Sequence, residues 1–243
     1  MFRHAGKART FKHNIRLAGL LSLIAGMVNI SGVLSVNTLT TNVTGHFAFF
    51  AEQMERKQYS LAFTFLLYIS AFFLGSFLSS FMTELSLSKG YKAIHVGPMV
   101  CEIAILLLLG IAGNQMLHYG VSGTAIALLL LFAMGLQNAL VTNVSRSVVR
   151  TTHLTGLFTD LGIELAQLLF YKKPEQQEVL RRSVNLKLVI IFFFFAGCVI
   201  GGYLYDSLAL ETLMVASGLL AAALIYDTLK FRYYRLLRGR HRV

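Results

Sequence analysis

A chain of 243 residues that is 56% apolar and only 14% charged lacks the polar shell of a soluble protein, since water-exposed domains carry about 25% charged residues. The formal charge of +11 would suit nucleic acid, but the basic residues fall in clusters between long uncharged runs, which argues against that partner. Residues 17–51 and 103–145 contain no Asp, Glu, Lys or Arg. The chain reads as an all-α membrane protein, because a crossing needs roughly 20 apolar residues and continuous apolar runs, unlike alternating ones, exclude a barrel.

A basic segment, residues 1–16, comes first, and the apolar stretch at 17–36 follows. That stretch exceeds the signal-peptide core of about 7–15 residues and lacks an Ala-x-Ala exit, so it reads as a retained span. Further spans are expected at 60–83, 96–113, 124–144, 187–205 and 208–229, with a glycine-rich turn over 113–123 and a basic tail over 230–243. With the N-terminus in the cytoplasm, six crossings leave 20 of the 22 basic residues inside and only Arg56 and Lys57 outside. Basic residues are retained on the cytoplasmic side during insertion, so both termini are placed there, in a cell's plasma or inner membrane. Cys101 and Cys198 fall inside predicted spans, far from any Cys-x-x-Cys spacing, and read as packing residues without metal.

The chain repeats itself. Thr40-Thr41-Asn42-Val43-Thr44-Gly45 and Thr151-Thr152-His153-Leu154-Thr155-Gly156 share the pattern T-T-x-x-T-G, each preceded by Gly-x-x-Asn, at Gly26 with Asn29 and at Gly135 with Asn138. Downstream, Gly75-Ser76-Phe77-Leu78 pairs with Gly201-Gly202-Tyr203-Leu204, and Glu102 with Glu211. The halves are 17–113 and 114–229. Three spans per half is odd, so the halves must cross in opposite directions, an arrangement typical of transporters whose ligand site lies between the repeats.

The segment Ala133-Met134-Gly135-Leu136-Gln137-Asn138-Ala139, followed by Val149-Arg150 and the second T-T-x-x-T-G, resembles the YoaK-like family of uncharacterised bacterial multipass proteins. The resemblance spans roughly residues 15 to 230. It departs from the family pattern at Asn29-Ile30 and Thr44-Gly45-His46. It implies membrane location and fold, and brings no substrate or activity.

Thr44-Gly45 and Thr155-Gly156 read as starts of short helices, with threonine as cap and glycine giving the turn its freedom. Such helices are either re-entrant, with positive ends pointing inward, or amphipathic and lying on the membrane surface. On the first reading Asn29, Thr41, Thr44, Gly45, Asn138, Thr152, Thr155 and Gly156 line a solute pathway, and the hydroxyls and amides suit a neutral or weakly charged solute. His153, Asp160 and Glu164 are candidates for proton coupling; Asp160, Glu164 and Gln167 share one helical face, which could equally be a solvated one. His46 flanks the first motif. Glu102 and Glu211 are expected to snorkel to the interface.

The chain carries no His-Glu-x-x-His, Gly-x-Ser-x-Gly, Walker or dinucleotide pattern, so neither an enzyme nor a cofactor is expected. The leading expectation is a small secondary transporter or channel-like permease, its partners the lipid bilayer and a small-molecule solute. The rivals are a non-transporting scaffold or regulator, and an intramembrane enzyme using Asp160 and Glu164 with His153.

Overall fold

The computed structural model describes residues 10–91 and 93–240, the last ten by backbone alone. Most of the basic N-terminal segment, Lys92 and the side chains of the basic tail beyond Lys230 therefore lie outside the described residues. Among the described residues every regular element is helical. In chain order these are α1 (Phe11–Val36), α2 (Val43–Glu55), α3 (Tyr59–Ser88), α4 (Val96–His118), α5 (Gly123–Ser145), α6 (Leu154–Phe170), α7 (Pro174–Leu208) and α8 (Thr212–Arg240). α1, α3, α4 and α5 are each long and apolar enough to cross a bilayer, as is the continuous run Pro174–Lys230. A single 3-10 turn, Ala209–Glu211, breaks that run into α7 and α8.

Several boundaries depart from the expected spans: α1 starts at Phe11 rather than 17, α3 ends at Ser88 rather than 83, α8 runs to Arg240 rather than 229, and two further departures have clear causes. α7 begins at Pro174 instead of near 187, because a helix's backbone hydrogen bonds do not depend on apolar side chains. Pro174 sits at its first position, where a missing N–H costs nothing, and Glu178 pairs with Arg182 one turn on. The expected 113–123 turn is shorter than its composition suggests. α4 runs to His118, and Gly113 is a buried helical residue against Leu210. The reversal is made by Gly120, at φ +80°, and by Ser122, whose hydroxyl accepts from Thr124 N–H at the start of α5.

α1 packs most extensively on α7, and α3 on α5; α4 lies against α8 and α5. Glycines set both major crossings. A Cβ on Gly26 of α1 would stand 2.1 Å from Phe194 O of α7, and one on Gly197 2.0 Å from Leu23 O. The other pair behaves alike: Gly135 of α5 would meet Phe72 O at 2.2 Å, and Gly75 of α3 would meet Phe132 O at 2.1 Å. Phe72, Gly75 and Ser76 thus do against α5 what Phe194, Gly197 and Cys198 do against α1. The partner of Gly75 in this geometry is Gly197, not the expected Gly201, which packs on Met27 and Ile30. Backbones this close gain dispersion contact along their whole length, which drives helix association where lipid is as apolar as the side chains.

The core is formed by residues such as Leu21, Ile24, Met99, Leu106, Leu130 and Met134, all fully buried. Outward faces are equally apolar. Phe73, Phe77 and Phe81 of α3 are each more than half exposed and stack at four-residue intervals. So large an unbroken apolar exterior belongs against lipid.

Candidate functional site

Both T-T-x-x-T-G motifs lead into short helices of 13 and 17 residues, each packed on the helix that follows it. α2 is capped by Asn42, whose Oδ1 accepts from Gly45 N–H at 3.0 Å. α6 starts after His153. The expected caps, Thr44 and Thr155, therefore lie inside the first turns, and each glycine is third in its helix. Neither Gly45 nor Gly156 has a positive φ, so conformational freedom is not what these positions require. Space is. A Cβ on Gly45 would stand 2.9 Å from Asn42 Nδ2, and one on Gly156 would touch the His153 ring at 3.4 Å. Gly45→Val should therefore displace the Asn42 cap at a cost of about 1 kcal/mol, read as a lower melting temperature of the purified protein. An unchanged melting point would rule out this role for the glycine.

The two motifs open on one cavity of about 990 Å³, near the upper end for small-molecule sites. Asn29, Thr41, Thr44 and Gly45 line it from the first half; Asn138, Thr152, His153 and Thr155 line it from the second. Most of the wall comes in such pairs, including Phe72 with Phe194 and Asn42 with His153. Thr41 Oγ1 donates to Asn29 Oδ1 at 3.0 Å, holding the loop against α1. Thr142, one turn beyond Asn138, donates to the Asn138 carbonyl at 2.7 Å and also faces the cavity.

Gly156 does not line this space, and neither acidic candidate is there. Asp160 borders a smaller cavity of about 490 Å³ with Arg182, Ser183 and Lys187. Glu164 is tied to α7, accepting from Lys187 Nζ and Ser183 Oγ at 2.7 Å each. A carboxylate so paired is a strut between α6 and α7. Arg150, absent from the expected residues, lines both cavities and makes no ion pair among the described residues. The signal for it was available: Arg150 directly precedes the second motif where Leu39 precedes the first, and Leu39 also lines the larger cavity.

His46 stands apart from the cavity. It is 2% exposed, donates from Nε2 to Leu39 O at 2.8 Å, and packs its ring on Phe65 and Tyr68 of α3. Burial pushes its imidazole below the ordinary value, opposed in part by the bond to Leu39. The unfolded chain then takes up the proton first. The docking of α2 on α3 should be intact above the unfolded histidine value of about 6.5 and weaken as pH falls through it. Hydrogen exchange of the α2 amides, measured across that window, checks this; an H46Q protein with the same pH profile would refute it.

Glu102 does not snorkel. It is fully buried in α4, whereas Glu211 is exposed in the turn before α8, so the two do not occupy matching places.

Long apolar helices, lipid-facing aromatic rows and a polar cavity between helices define a multi-span helical membrane protein. The sequence pattern of a family described as "Protein of unknown function (DUF1275)" matches residues 17–226, and the chain belongs to that family. No curated protein and no solved structure matches it.

Proposed function

We propose that the chain is a small secondary transporter or channel-like permease of a cell's limiting membrane, built from two inverted three-helix repeats. The observation that carries this reading is the single cavity lined by both T-T-x-x-T-G motifs. A scaffold would have no use for paired hydroxyls and amides around a space of that size. Support for six crossings comes from the run Pro174–Lys230: 57 helical residues extend about 85 Å, far beyond a hydrocarbon core of about 30 Å, and the break at Ala209 divides it. Support for the repeat comes from the packing, since α1 on α7 and α5 on α3 are the same contact made by equivalent helices. The chain's resemblance to the YoaK-like family is consistent with the membrane location and the fold, and carries no activity.

The proposed site needs neither cofactor nor covalent chemistry, and no enzymatic role is assigned. A solute leaving water exchanges its hydrogen bonds for those of Thr41, Thr44, Thr152, Thr155, Asn29 and Asn138. Alternating access follows if one repeat rocks against the other around that site.

The test is uptake and export in proteoliposomes over a panel of sugars, amino acids, monocarboxylates, amines and inorganic ions. The expected result is saturable flux of one class, lost in Thr44→Val/Thr155→Val and in Ala48→Trp, which fills the cavity. Flux of no class, or flux indifferent to both changes, would hand the protein to the scaffold reading. Orientation has its own measurement. With both termini cytoplasmic, Tyr119→Cys, 82% exposed in the native side chain, should react with an impermeant maleimide on intact cells. Lys89→Cys should react only after permeabilisation, and the reverse pattern would invert the map.

A further inference from the structure

Glu102 is 0% exposed, in the second turn of α4, and neither carboxyl oxygen has a hydrogen-bond partner among the described residues. Buried polar groups are almost always paired, and a carboxyl inside a membrane is retained at a cost that ordinary packing does not justify. Its surroundings contain few charges to explain it. α5, packed on α4, contains no Asp, Glu, Lys, Arg or His. α3 contributes only Glu84, which is exposed, and the turn before α8 only Glu211, also exposed.

The groups that do converge are on α4 itself and on α8. His95, immediately before α4, is fully buried, and its Nε2 lies 3.7 Å from Oδ2 of Asp227, 4% exposed on α8. His95 and Glu102 are seven residues apart, two helical turns, so they share a face and are separated by about 10 Å along the axis. Just beyond Glu102 the α4–α8 interface is tied by Ser217 Oγ donating to Ile103 O at 3.2 Å. A buried imidazole–carboxylate pair at the end of a helix, followed two turns inward by an unpartnered carboxyl, is the order of groups a proton would need to enter from that end.

We propose that Glu102 is the proton-binding group of this protein, loaded and unloaded through the His95–Asp227 pair. A proton from water is taken up by that pair and passes through water admitted between α4 and α8. It forms an O–H bond on Glu102, and release reverses each step without any other bond changing. Asp160 and Glu164 are then not the coupling groups; Glu164 is occupied by Lys187. What the proton drives rests on the transport reading above, but its binding to Glu102 does not.

The experiment is infrared difference spectroscopy between acid and alkaline pH on the full chain in lipid, with no solute present, so that it stands whether or not a transported solute is found. A carbonyl band of a protonated, apolar carboxyl should titrate, and should vanish in E102Q. Its hydrogen–deuterium exchange should slow about tenfold or more in D227N. Should E102Q fail to fold, labelling of the wild-type chain with dicyclohexylcarbodiimide serves instead, with the adduct mapped to Glu102 in preference to the exposed Glu84 and Glu178. A band present at every pH, a band that survives in E102Q, exchange unaltered by D227N, or an adduct confined to other carboxyls would each overturn the proposal.

Discussion

Replacing Gly26 by alanine should cost the folded protein most of its stability. A methyl carbon there would lie 2.1 Å from Phe194 O and 2.9 Å from Cys198 N, both backbone atoms of α7. No side chain can rotate away, so the helices must separate, and every contact along α1 and α7 loosens together. Overpacking in a core typically costs about 1–3 kcal/mol; a whole-helix displacement belongs at or above the top of that range. Gly135→Ala should do the same through Phe72 O at 2.2 Å. Gly162 and Gly218 provide the contrast, since a Cβ at either meets nothing within 4 Å. Alanine at those two should be neutral, or stabilising by up to about 1 kcal/mol through helix propensity. Solubilised yield, gel filtration and thermal melts of the four variants decide it. Gly26→Ala melting with the wild type would mean that the crossing is not as close as described.

Asn114→Leu is the second variant expected to have a large effect, because one amide holds the corner between α7 and α8. Its Oδ1 accepts from Leu210 N–H at 3.0 Å, and its Nδ2 reaches Leu208 O at 3.5 Å. Between them Ala209 adopts φ 49°, ψ −130°, a conformation suited to glycine. Strain of this kind costs about 1–3 kcal/mol and persists only where neighbours impose it. Without the amide, the buried Leu210 N–H loses its partner, at a cost of about 1–3 kcal/mol. Ala209→Gly should act in the opposite sense, by about 1 kcal/mol after the greater backbone entropy of glycine is counted. Denaturation of both variants in the same detergent tests the pair. A clear loss in Asn114→Leu and a smaller gain in Ala209→Gly would fit; an Asn114→Leu protein as stable as the parent would show that α8 packing alone makes the corner.

Much of the architecture was legible because membrane insertion is read from composition over long windows. The apolar runs predicted α1, α3, α4 and α5 to within a few residues at most ends, while α7 was foreshortened because its charged first turns carry no apolar signal. The short helices after the two motifs were visible in the spacing of Thr44-Gly45 and Thr155-Gly156. Their caps were not, since Asn42 and His153 differ between the motifs and only the observed helix starts select them. Arg150 and Glu102 are hidden in the sequence for opposite reasons. Arg150 looks like any other cytoplasmic charge, and Glu102 lies near a span end, where charged groups ordinarily reach the interface.

By itself, then, the sequence determined the solvent, the helical class and the duplicated motifs, because each depends on residue type and order along the chain. Only the tertiary structure decided that the two motifs share a cavity, that Gly75 and Gly197 make like close approaches to a neighbouring backbone, and that Glu102 points inward without a partner among the described residues. Those facts depend on which helix lies against which, and on rotation about each helix axis. A helix apolar on nearly all sides carries almost no periodic mark of its buried face, so close packing between backbones, rather than polarity, sets the rotation.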